Sequence, residues 1–179
     1  IDISEQLALT QSANGGASLI GDRWVMTAAH CVEGANIALL KVNIGEFDLS
    51  DGAQNAKAIK HIYMHPEYNE GSNFNNDIAL IELVETAEYT PIALLDYDTS
   101  RELALANSAV TVIGWGNVEA YGPNDDSPPN SKPNILRQCA LNTLRTETCK
   151  NNLAPTYTNS EGCNYYTHQV GIHKHISYT

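Results

Sequence analysis

Short stretches rich in β-branched and apolar residues recur along the chain, each set off by turn-forming residues. They are "ASLIGDRWVMTAA", "NIALLKVNIGEF", "AKAIKHIYMH", "DIALIELV", "AVTVIGWG" and "ILRQCALNTL". Runs of this length and spacing predict short strands and an all-β sandwich or barrel. "DIALIEL" carries apolar residues on both alternating faces, which predicts a strand buried on two sides. Between the runs, "SDGAQN", "NEGSNFNN" and "GPNDDSPPNSKPN" are dense in Gly, Asn, Asp, Ser and Pro, which close turns or build exposed loops. Helix signals are confined to "TAAHCVEG", which can close one turn, and "RTETCKNNLA", which can form a short helix with Thr146 near its start. The acidic, polar segment from Asp96 to Asn107, "DYDTSRELALAN", predicts a connection between two β units, residues 1–100 and 101–179. After Cys163 the character shifts again. The tail 164–179, "NYYTHQVGIHKHISYT", holds three of the six histidines and no acidic residue, and reads as foreign to what precedes it.

Composition narrows the class. Apolar residues make up 42% of the 179 and charged residues 17%, a balance that supports a real core. No run is long enough to cross a bilayer as a helix. Ten basic against 21 acidic side chains give a formal charge of −11, which repels nucleic acid and anionic lipid, so neither nucleic acid nor membrane is expected as a partner. The start "IDISEQLALT" has no Met, basic stretch or apolar stretch of a leader, so any targeting segment is expected to lie outside these residues. Cys31, Cys139, Cys149 and Cys163 lack Cys-x-x-Cys spacing and fit disulfides better than a metal.

The candidate chemistry centres on His30, in "RWVMTAAHCV". A His between an apolar strand and a tight turn can be held in one orientation, and a carboxylate on one ring nitrogen leaves the other free to take a proton from a nucleophile. Asp77 is the candidate carboxylate, because it opens the apolar strand of "FNNDIALIEL" and would be anchored at its end. Cys31 adjoins His30, and an imidazole can stabilise a thiolate. Adjacent side chains on a turn usually point apart, however, so Cys31 is read as structural. His168, His173 and His175 include a His-x-His pair that a strand would place on one face, but no carboxylate lies nearby in sequence to support a metal there. No metal and no cofactor is expected.

The local words carry a family resemblance. "GGASLIGDRWVMTAAHCV" closely resembles the segment around the catalytic His of the trypsin-like (chymotrypsin-family) serine proteases, and "NNDIALIEL" the segment around their catalytic Asp. "HPEYN", "VIGWGN" and "ILRQCALNTLRTETCKNN" resemble further family segments in matching order, from about Ser18 to Cys163. The resemblance implies two Greek-key β-barrels, the first nearly complete and carrying His30 and Asp77, the second incomplete. It implies a secreted endopeptidase acting on protein or peptide substrates, with His30 as general base then acid and Asp77 as its orienter. It implies a Cys149–Cys163 disulfide. Gly15 stands where the usual partner of Cys31 would be, which leaves Cys31 a free, half-buried thiol, and the partner of Cys139 would lie beyond the family's Ser.

The resemblance stops short of a nucleophile. The family's Ser sits in a Gly-Asp-Ser-Gly-Gly word, whose glycines let backbone N–H groups face an oxyanion, and that word does not occur here. Ser177 lies near the expected count from Cys163 but has no Gly beside it and no Asp before it; Ser160, in "TNSEG", is further from the pattern. As given, the chain is therefore not expected to catalyse efficiently, and the alternative is a non-catalytic homologue that binds a protein partner. The start "IDIS" departs from the family's Ile-Val-Gly-Gly, and the first strand of the first barrel is expected to be missing. The loop "GEFDLSDGAQN" matches one that binds calcium in some members, with Glu46 and Asp51 as oxygen donors but Gln54 where a carboxylate is wanted. The abrupt change after Cys163 leads to the expectation that another reading frame of the gene encodes Gly-Asp-Ser-Gly.

Overall fold

The fold is seen in a computed structural model of the chain, which describes residues 2–5, 12–71, 74–99, 108–116 and 133–143. Nine strands are present among them. They are β1 (Asp2–Glu5), β2 (Ser12–Gly16), β3 (Ser18–Gly21), β4 (Trp24–Thr27), β5 (Leu40–Asn43), β6 (Ala56–Met64), β7 (Ala79–Leu83), β8 (Ala109–Gly114) and β9 (Arg137–Asn142). Each of the six apolar runs contains at least one of β3 to β9. The first seven strands form one antiparallel sheet in the order β2-β1-β5-β6-β7-β4-β3. Its two edge strands, β2 and β3, are separated in the chain by Ala17 alone, so one bent run of backbone joins the two edges and the sheet curls into a barrel. Among the described residues the regular structure is mostly strand with little helix, as the all-β reading requires.

The expected absence of a first strand is corrected: β1 pairs with β2 on one side and with β5 on the other. Its sequence, "DISE", is polar at three of four positions, and "SANGG" of β2 is small and polar. Backbone pairing, not an apolar run, sets these two strands.

The core fills the barrel from β3 to β7. Leu19, Val25, Leu40, Val42, Ile81 and Leu83 belong to one buried cluster. Val25 faces Ile81 across the β4–β7 pair, and Ile62 faces Ile81 across β6–β7. Full burial of an aliphatic side chain of this size contributes about 1.5–3 kcal/mol. Strand β7 buries Ala79, Ile81 and Leu83, while Leu80 and Glu82 on its other face are partly exposed. This corrects the expectation of burial on both faces. The outer face is polar because Glu82 accepts hydrogen bonds there from Lys60 Nζ (2.7 Å) and Tyr63 Oη (3.4 Å), with His61 Nδ1 at 3.1 Å. These contacts hold the Glu82 carboxyl below its ordinary range, Lys60 first and His61 second.

Strands β8 and β9 form a second, two-stranded antiparallel sheet among the described residues, with Ala109 opposite Asn142 and Gly114 opposite Arg137. It meets the first sheet at the 46–51 loop. Leu136 N–H donates to Phe47 O (2.9 Å), Leu49 N–H to Asn134 O (3.0 Å) and the Trp115 indole to Phe47 O (3.4 Å).

Candidate active site

Strand pairing brings His30 and Asp77 together across 47 positions of sequence. Thr27, the last residue of β4, lies opposite Ala79, the first of β7. The residues just after β4 and those just before β7 therefore emerge at the same end of the sheet. After β4 the chain closes a tight 3-10 turn over Ala29–Cys31, in which Ala29 and Cys31 are buried and His30 projects outward. Thr27 itself is fully buried and donates from Oγ1 to Gly16 O (3.0 Å), which ties the end of β4 to β2. Before β7, Asp77 sits two residues ahead of Ala79.

The contact between them is double. His30 Nδ1–H donates to Asp77 Oδ2 at 2.6 Å, and the backbone N–H of His30 donates to Asp77 Oδ1 at 2.8 Å. One carboxylate thus fixes both the ring and the main chain of the same residue. The side chains are 24% and 15% exposed, so the pair stands at the rim of the barrel, neither sealed nor fully solvated. The imidazole titration point is raised to about 10 from an ordinary 6.5, first by the Asp77 hydrogen bond and second by the Cys31 thiol, with burial opposing.

The other ring nitrogen is also approached. Cys31 Sγ stands 3.5 Å from His30 Nε2, within hydrogen-bond reach for sulfur. This corrects the expectation that the adjacent side chains point apart: although neighbours on a 3-10 turn are set a third of a revolution apart, the sulfur stands against the ring. Cys31 is buried rather than half-buried, and it is a free thiol, as is the exposed Cys139. An ideal Cβ on Gly15 would lie 2.5 Å from Cys31 Sγ, so the glycine stands directly against the unbridged sulfur.

Phe74 completes the visible surroundings, its ring edge-on to His30 at 5.6 Å and 81°. It rides on the "NEGSNFNN" turn, where Asn69, Phe74 and Asn76 all have positive φ. Asparagine tolerates that region and its side chain bonds nearby backbone. Asn69 Oδ1 accepts from Phe74 N–H (2.9 Å), Asn75 Nδ2 donates to Glu70 O (2.8 Å) and Asn76 Nδ2 to Glu67 O (3.1 Å). The density of Asn is the sequence signal for this turn; the placement of Phe74 against His30 has no counterpart in the pattern. Tyr68 packs against the core and donates to Glu33 Oε2 (3.4 Å). Burial first, then the Glu33 charge, hold its phenol above the ordinary range.

The loop considered for calcium turns its carboxylate inward. Glu46 Oε1 accepts from the N–H groups of Phe47 (2.8 Å) and Asp48 (2.9 Å), and Oε2 accepts from Asn43 Nδ2. Gln54 Nε2 donates to Asp51 O at 2.6 Å. Among the described residues, no group of three His, Cys, Asp or Glu side chains is placed to hold a metal ion. Cys149, Cys163, Ser160, Ser177, His168, His173 and His175 lie outside the described residues. Among those described, no helix is long and apolar enough to cross a membrane.

Comparison with known proteins places this geometry. The family model described as Trypsin matches residues 3–174. That span begins before Ser18 and runs beyond Cys163, so the family match does not stop at the boundary drawn from the words alone. Vitamin K-dependent protein C of Mus musculus is 41% identical over 107 residues, covering 56% of this chain and 23% of that protein. The Rattus norvegicus protein of the same name is 39% identical over the same coverage. Kallikrein-15 of Saguinus oedipus is 30% identical over 155 residues, 84% of this chain and 58% of that protein. The chain thus spans less than two thirds of the length of these relatives. With a family match over nearly its whole length and a curled antiparallel barrel in its first half, the chain belongs to the trypsin family of serine proteases.

Proposed function

We propose that His30 and Asp77 are the general base and its orienter in a secreted endopeptidase architecture that acts on peptide bonds of protein substrates. The observation that carries this reading is the 2.6 Å hydrogen bond from His30 Nδ1 to Asp77 Oδ2, with the same carboxylate held to the His30 backbone. That arrangement fixes the ring's orientation and presents Nε2 as the nitrogen that, in the neutral ring, takes a proton from a nucleophile and then gives it to a leaving amine. Residues 1–100 form the first barrel and carry the pair; residues 101–179 belong to a second, incomplete barrel, with a divergent tail over 164–179.

The nucleophile is the missing element. Since no Gly-Asp-Ser-Gly-Gly word occurs in the sequence, these 179 residues alone hydrolyse peptides poorly. A fluorophosphonate probe should leave every serine of the chain unlabelled, read by intact mass. Stoichiometric labelling that disappears in His30→Ala would contradict this and identify a serine served by the pair. Absence of the word also favours a second reading, a non-catalytic homologue that keeps the scaffold to bind a protein partner.

The same reading assigns a disulfide between Cys149 and Cys163, closing a loop whose cross-link would stabilise by about 3 kcal/mol. Non-reducing peptide mapping should recover those two joined, with Cys31 and Cys139 free. Recovery of Cys31 joined to Cys139 would overturn it.

A further inference from the structure

Cys31 is a buried thiol that the proposed hydrolytic chemistry does not use, yet its surroundings resemble those of a working sulfur. Sγ lies 3.5 Å from His30 Nε2, and Nδ1 of the same ring is already engaged by Asp77 at 2.6 Å. The three groups form a continuous line of thiol, imidazole and carboxylate. On its other side the sulfur faces Gly15, which offers no side chain to bridge it. The other described cysteine differs in each respect: Cys139 is exposed, and its Sγ makes a weak contact with Ala140 O at 3.7 Å. An imidazole held against a thiol is placed to take the thiol's proton as the sulfur attacks.

We infer that Cys31 is a modification site, a thiol that undergoes exchange with low-molecular-weight disulfides, with His30 as its proton partner. In that step Cys31 Sγ attacks one sulfur of the disulfide R–S–S–R, the old S–S bond breaks, and a Cys31–S–S–R bond forms. The proton shared along Sγ···Nε2 stays with the ring as the sulfur attacks and then passes to the departing R–S⁻, which leaves as R–SH. Cys31 is oxidised and the leaving sulfur reduced, so no further oxidant is needed. Approach is beside the His30 ring, whose side chain is 24% exposed while Cys31 is 9% exposed. The adduct replaces the sulfur's contact with Nε2, the nitrogen on which the proposed hydrolytic role depends. That consequence rests on the reading of His30 as a base, whereas the exchange itself does not.

The test is the rate of adduct formation at Cys31 with 2-hydroxyethyl disulfide, a neutral probe, on the full chain, followed by peptide mass mapping. It is run at about pH 6.5, where an ordinary thiol is only about 1% thiolate. The native chain should form the Cys31 adduct at least roughly tenfold faster than the same chain in concentrated urea, where burial and the imidazole contact are both lost. His30→Gln, checked for folding by circular dichroism, should remove that advantage. A native rate less than roughly tenfold above the urea rate overturns the proposal, and so does an advantage that survives in a folded His30→Gln chain. If His30→Gln does not fold, the native-to-urea ratio of the unaltered chain decides. Because the readout is mass, failure of the endopeptidase reading leaves this result unaffected.

Discussion

Ile81→Ala should lower the unfolding free energy by about 3–4 kcal/mol. Ile81 is fully buried at the centre of β7, opposite Val25 on β4 and Ile62 on β6. Truncating the side chain to a methyl group there leaves a cavity bounded by strands on both sides, and a paired sheet has little freedom to collapse into it. The loss is a large part of the stability of a typical domain, about 5–15 kcal/mol, and should lower the thermal midpoint by about 10 °C. Leu80→Ala, one residue away on the partly exposed outer face, should cost about 1 kcal/mol or less. Urea denaturation of the two variants checks both values. Equal losses would mean that β7 is buried on both faces after all. Ile81→Ala should also loosen the His30–Asp77 contact, because the β4–β7 pairing is what brings those residues to one end of the sheet.

Asp77→Asn should produce a stability loss that depends on pH. The folded titration point of His30, about 10, lies above its ordinary 6.5, so the folded state binds the proton more tightly than the unfolded chain. The resulting stabilisation is fully present below about pH 6.5 and fades as pH rises through about 10. Asparagine cannot supply the charge, and the Asp77 hydrogen bond is the leading cause of the rise. The unaltered chain should therefore exceed Asp77→Asn by on the order of 2 kcal/mol between about pH 6 and 7, after allowing for water at the partly exposed pair. The gap should narrow towards about pH 10. Urea midpoints across that range check it, and a gap that stays constant would place the loss in packing rather than in the proton. Cys31→Ser should open a smaller gap than Asp77→Asn, because the thiol is the second cause and not the first.

Much of the first barrel is legible in the chain because a half-buried strand needs apolar residues at alternate positions, as β5 and β7 carry them, although β6 changes phase at a bulge between Ile59 and His61. β1 and β2 escape that test. "DISE" and "SANGG" are held by backbone pairing, and backbone pairing leaves no mark on residue type. "DIALIEL" misleads in the opposite direction: Leu80 is apolar but lies on the outer face, where a protein can leave such a side chain partly exposed. The partnership of His30 and Asp77 is reached through resemblance, since nothing in an isolated His and an isolated Asp specifies that Thr27 and Ala79 pair. The Cys31 contact with Nε2 lies within one three-residue turn, and the residues "AHC" do not announce it. Glu46 shows the limit of matching a loop by its carboxylates. Its oxygens cap the N–H groups of its own turn, a use that sequence cannot distinguish from metal ligation.

The pairing of His30 with Asp77 is tested most directly by following the His30 ring C–H resonance by NMR as pH is raised. The titration midpoint should lie above the ordinary 6.5 in the unaltered chain and move towards it in Asp77→Asn, because the Asp77 hydrogen bond is the leading cause of the rise. A midpoint in the unaltered chain that Asp77→Asn leaves unmoved would mean that the carboxylate does not hold the imidazole, and the base-and-orienter assignment would fall with it.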